Sequence, residues 1–194
     1  MLTPGAEKEV DKRIAKFFGA YTPTRDMKAE FRYVDESDVG KAATDTGNSG
    51  ATPNGFVDYK HSPPIVYINR NPKIQGTLEH ETLHLYGLKL MSYYGVGSDH
   101  ISHVFEGLTE YLTRQMVDSP RISYQAEYGA VQKLVNILGE VNLRTMFFQW
   151  KPDPLMNCLS AKIADEWKKQ VNNKKWDDAE KLLKGLKPCA AAKK

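Results

Sequence analysis

His80-Glu81-Thr82-Leu83-His84 lies inside a stretch that reads as helix from about Pro72 to about Met91, and its two histidines decide the reading of the chain. Asn71-Pro72 looks like an N-cap followed by proline at the first helical position. Positions i and i+4 stand one turn apart on one helix face. The imidazoles of His80 and His84 can therefore reach a single ion at the ~2.0–2.1 Å typical of zinc–nitrogen bonds. Glu81 sits about 100° around the helix from His80. It can lean over the ion without binding it, and a carboxylate there can take a proton from a water that the metal activates.

A catalytic zinc (Zn2+) needs a third protein ligand and one open position. The candidate lies in Phe105-Glu106-Gly107-Leu108-Thr109-Glu110-Tyr111-Leu112-Thr113, where Glu106 follows His84 by 22 positions. That spacing leaves room for a loop and a second helix returning antiparallel to the first. Asp99, His100, His103 and Glu110 are the rival ligands. Glu110, one turn beyond Glu106, is placed to accept the spare ring N–H of His80 or His84 and so to fix its tautomer. Hydrolysis at such a centre also calls for a donor to the developing oxyanion. Tyr94, in the loop after the first helix, and Tyr128, on a third helix, are the candidates for that role.

HExxH followed about 20 residues later by a helical Glu, with an acidic residue four positions on, resembles the gluzincin group of metallopeptidases. Glu106-Gly107-Leu108-Thr109-Glu110-Tyr111-Leu112 is similar to the corresponding helix of the zinc aminopeptidase branch, and the resemblance covers roughly residues 64–115. It implies a zincin-like fold, zinc held by His80, His84 and Glu106, and Glu81 as general base in peptide-bond hydrolysis. In zincins an edge strand above the motif helix binds extended peptide by adding it to the sheet, a role that would fall to Ile65–Ile68. The metzincin pattern fails, because Leu90 stands where its third histidine belongs. The aspzincin pattern is present only as the fragment Tyr93-Tyr94-Gly95 with Asp99. The aminopeptidases' Gly-x-Met-Glu-Asn motif is absent upstream of His80, so aminopeptidase specificity is not implied. The size and helical C-terminal half also resemble compact bacterial gluzincin domains, some carried by secreted effectors.

Outward from the motif, residues 6–19 place Val10, Ile14, Phe17 and Phe18 at helical spacing, with Gly19 as the stop. Residues 28–34 alternate as a strand, and 56–59 and 64–69 give further strands broken at Pro63-Pro64. Residues 36–55 are rich in Gly, Asn, Ser, Thr and Asp and read as a long loop, a candidate flap. After the motif, helices are expected over 100–117, 121–139 (opened by Ser119-Pro120), 141–150, 155–171 and 175–186. The fold class is α+β, a small mixed sheet followed by a mostly helical C-terminal half. We expect a single domain over 1–194, with a mixed α/β part at 1–71, the zinc-binding helices at 72–117 and a helical part at 118–190. Trp150, Trp167 and Trp176 are expected to anchor the core of that last part.

The chain has 194 residues, 41% hydrophobic and 26% charged, and a net charge of +3, an ordinary globular balance that does not argue for nucleic acid. No apolar run approaches the ~20 residues of a membrane helix. No signal peptide is visible, which suits a cytoplasmic protein or one delivered by a signal-independent route. Cys158 and Cys189 are too few and too far apart for a disulfide framework or a Cys-based metal site. They read as free thiols in a reducing compartment, with a single disulfide as the alternative. The expected partner is a protein or peptide substrate. The competing function is a non-catalytic binding or delivery module with a structural or vestigial zinc, which a fourth ligand such as Asp99 or His103 would favour.

Overall fold

The computed structural model describes residues 1–21, 28–47, 54–93, 102–117, 123–149, 151 and 153–189, apart from the side chains of 88–93, 153, 154 and 156. Its described residues fall into two compact units. One holds those of 1–86 and 112–123, the other those of 87–93, 102–111 and 124–189. The content is mixed α and β, mostly helical, with one three-stranded sheet among the described residues.

The first unit opens with α1 (Ala6–Phe18), whose buried stripe is Val10, Ile14 and Phe18. Phe17, expected on that stripe, is 47% exposed, because it stands about 100° around the helix from Phe18. The sheet has the order β1 (Glu30–Val34), β3 (Ile65–Asn69), β2 (Gly55–Asp58). β1 runs parallel to β3, and β2 antiparallel to it. A parallel pair needs a long crossover, and residues 35–64 supply it.

That crossover contains the first correction. Residues 36–45, read as part of a long loop, form α2 (Glu36–Asp45). Val39 and Ala43, one turn apart, are buried with Phe56 against Val34 and Tyr67, and Phe56 and Tyr67 stack with centroids 4.9 Å apart. Packing of one small face, not propensity, holds this helix, since a ten-residue helix rich in Ser, Asp and Gly is marginal alone. The possible flap at 48–53 lies outside the described residues.

The opposite sheet face meets α1 and α3 (Thr77–Tyr93). Tyr33 donates its O–H to Glu7 Oε2 at 2.6 Å, and burial together with that carboxylate pushes its phenol well above the ordinary range. A Cβ on Gly55 would stand 3.3 Å from Thr77 Cγ2 and 2.8 Å from the Tyr67 carbonyl oxygen, so glycine lets this strand lie close.

Two further readings change. β3 lies between β1 and β2, so Ile65–Ile68 has both edges paired and cannot take a peptide as an added strand. α3 begins at Thr77, not at Pro72. The side-chain carbonyls of Asn69 and Asn54 accept the N–H groups of Asn71 at 2.9 Å and Lys73 at 2.8 Å, and hold 71–73 in a turn. Gly76, at φ 75°, then leads into the helix.

The second unit is built on α5 (Gln125–Leu138), α6 (Glu140–Gln149), α7 (Asp153–Cys158), α8 (Ala161–Asn172) and α9 (Trp176–Leu183). Ser119-Pro120 lies outside the described residues, and α5 begins only at Gln125. The helix expected over 155–171 is two, because Ser160 caps α8 by accepting from Ile163 N. Trp167 is fully buried, as expected of a core anchor, whereas Trp176 is half-buried and Trp150 lies outside the described residues. Among the described residues no helix is long and apolar enough to cross a membrane.

Cys158 and Cys189 are not free thiols but a disulfide, with Cα atoms 5.3 Å apart. The fold brings them together across 31 positions by returning the chain after α9 to α5, where Cys189 N donates to the Ile137 carbonyl at 2.7 Å. A cross-link spanning that loop stabilises by about 3–4 kcal/mol through lost unfolded-state entropy. The double variant Cys158→Ser/Cys189→Ser is expected to lose about 2–4 kcal/mol in urea unfolding. Stability equal to the parent would show that the cross-link adds nothing to what the helices already hold.

Candidate metal centre

Residues 77–87 of α3 are buried at every position, although they include Glu79, His80, Glu81, Thr82 and His84. Buried polar groups are tolerated only with partners. Two come from α1: Arg13 pairs with Glu79, and Asp11 Oδ1 accepts from the Tyr86 hydroxyl at 3.1 Å. These props were not legible in the sequence, because a cation and an acid 66 positions apart carry no local pattern.

The two histidines meet as their spacing predicts. Their rings stand edge to face with centroids 4.7 Å apart, and the Nε2 atoms are 3.1 Å apart. Two ligand atoms on a tetrahedral ion with ~2.0–2.1 Å bonds would stand about 3.3 Å apart, so the pair fits one ion with little movement. Glu106 lies in the first turn of α4 (His103–Met116) and completes the group. One ligand atom each from His80, His84 and Glu106 lie within 4.8 Å of one another, the one such group of three or more among the described residues. Two imidazoles and a carboxylate suit a borderline divalent ion of the first transition series. This cluster could therefore hold a metal ion.

Glu81, 7% exposed, is buried beside these ligands in sequence but is not one of the group. Glu110 is fully buried one turn beyond Glu106. His103, a rival ligand, is engaged elsewhere: its Nδ1 lies 2.8 Å from Glu127 Oε1, and its ring stands edge-on to Trp176. Asp99 and His100 lie outside the described residues, as does Tyr94. Tyr128 stacks on Tyr111 with centroids 5.8 Å apart, and its hydroxyl accepts from Gln132 Nε2 at 3.2 Å.

Two glycines beside the ligands have a packing reason. A Cβ on Gly87 would stand 2.6 Å from Phe105 Cε2 and 2.7 Å from Phe147 Cζ, so the stacked Phe105–Phe147 pair needs the bare backbone there. A Cβ on Gly107 would meet the Glu127 carbonyl oxygen at 2.7 Å. Gly107 thus lets α4 touch the backbone of α5.

Comparison with known protein-family models, curated proteins and solved structures finds no match to this chain. The residues themselves carry the reading.

Elemental analysis of protein purified without added metal should find about one divalent ion per chain. His84→Ala and Glu106→Ala should each lose it or bind it far more weakly. Metal undisturbed by Glu106→Ala would remove that residue from the site.

Proposed function

We propose that this chain is a zinc-dependent peptidase of the gluzincin kind, with a zincin-like fold, that hydrolyses internal peptide bonds. The observation that carries the reading is the meeting of His80, His84 and Glu106 donor atoms within 4.8 Å, with Glu81, next to His80 in the sequence, buried as well. Two histidines and one glutamate form a common ligand set of hydrolytic zinc, with a fourth position left for water or substrate.

Bound zinc would supply Lewis acidity and a water ionisable near neutral pH. The rest falls to the chain. Glu81 takes the proton from the attacking water, holds it on its carboxylate, and delivers it to the nitrogen of the leaving amine. Its burial keeps bulk water from competing for that proton. Glu110 would accept a ring N–H from one of the histidines and so fix its tautomer. Tyr94 or Tyr128 would donate a hydrogen bond to the developing oxyanion. The engagement of His103 by Glu127 speaks against a closed four-ligand structural site that uses this histidine. A glutamate between the two ligands also has no use in such a site.

Glu81→Gln keeps the side chain's shape and removes its basicity. It should retain metal and lower the turnover of a denatured-protein or fluorogenic peptide substrate by about 10²–10⁴-fold. Undiminished turnover in the metal-loaded variant would sink the mechanism.

A further inference from the structure

Glu106 stands in the first turn of α4, where an α-helix leaves its backbone N–H groups without internal partners. Here two of them are taken up by side chains. Val104 N donates to Asn172 Oδ1 at 3.2 Å and Phe105 N to Ser102 Oγ at 3.2 Å, while Glu106 N makes the first internal bond of the helix, to the Ser102 carbonyl at 2.9 Å. Ser102 Oγ also approaches Asn172 Oδ1, at 3.4 Å. One amide oxygen on the last residue of α8, 68 positions after Val104, therefore gathers both the cap residue and the helix start. On its flank the same turn is tied to α5 by the His103–Glu127 pair, both largely buried, and it is backed by Trp176. Gly107 seats the next turn against the Glu127 backbone.

We infer that Asn172, together with the His103–Glu127 pair, is a positioning element for Glu106 that sets the affinity and geometry of the metal site without contributing a ligand. The inference rests on Glu106 being the third ligand. Neither Asn172 nor Glu127 belongs to the ligand group. The first turn of a helix frays most readily, and a ligand mounted there drifts unless the turn is tied down. A metal site demands placement within about 0.5 Å. Asn172 and Glu127 meet that demand from two directions, one holding the Val104 N–H and the Ser102 hydroxyl and the other a side chain on the same turn.

The test measures zinc affinity by competition with a chromophoric chelator, and the visible absorption of the cobalt-substituted protein. The proteins are the parent, Asn172→Ala, Asn172→Asp, Glu127→Ala and Glu106→Ala, each checked for folding by circular dichroism without metal. Asn172→Ala should weaken zinc by about 10-fold and alter the cobalt spectrum. Asn172→Asp keeps an oxygen to accept from Val104 N, and should return affinity and spectrum to near those of the parent. Glu127→Ala should weaken zinc as Asn172→Ala does, and it decides the matter if Asn172→Ala does not fold. Parental affinity and spectrum in a folded Asn172→Ala or Glu127→Ala would overturn the inference. So would an Asn172→Asp protein as weak as Asn172→Ala. If Glu106→Ala abolishes binding while the positioning variants do not, only this inference falls. If Glu106→Ala binds zinc like the parent, the third-ligand reading falls and takes this inference with it.

Discussion

Two imidazole nitrogens 3.1 Å apart, in a helix segment buried on all sides, are the constraint on which the rest of the structure depends. Facing lone pairs repel unless a proton or a cation stands between them. An unmatched buried polar group costs about 1–3 kcal/mol. α3 carries several buried polar groups in three turns, and each calls for a partner. Arg13 and Asp11 of α1 reach Glu79 and Tyr86, and Glu106 closes on the histidines. The N-terminal helix thus supplies polar partners as well as its apolar stripe of Val10, Ile14 and Phe18.

The features legible in the sequence are those with a short period. His80 and His84 at i and i+4, the alternation of residues 28–34, and the stop of α1 at Gly19 each carry their signal within a turn or two. Glu106 is legible for a different reason: a known spacing pattern places it, and the folded chain brings its carboxylate to the histidines. What escaped depends on distant contacts. α2 has weak local propensity and exists because Val39 and Ala43 meet Phe56. The proline after Asn71 promised a helix start, but the side chains of Asn54 and Asn69 took the backbone N–H groups first. Strand order is likewise silent in a sequence, so Ile65–Ile68 could be recognised as a strand but not as the central one.

Small residues play a comparable part in the helical unit. Gly107 lies against the Glu127 carbonyl, and Gly87 against the rings of Phe105 and Phe147. Both glycines occur close to metal-competent residues, and for Gly107 the sequence alone suggested only conformity to a motif. Their physical role is close approach: a methyl group at either site would force neighbours apart in a core packed at near-crystalline density.

The disulfide has a consequence for how the molecule is made. It encloses residues 158–189, and with them α8, α9 and Asn172. A chain synthesised in a reducing cytosol keeps two thiols there, whereas one folded under oxidising conditions carries the covalent loop. The two products share a sequence and differ in mass by two hydrogens. They differ also in how firmly the last residue of α8 is held. Batches from different expression hosts are therefore different chemical species, and the oxidation state of Cys158 belongs beside the metal content in any specification of the sample.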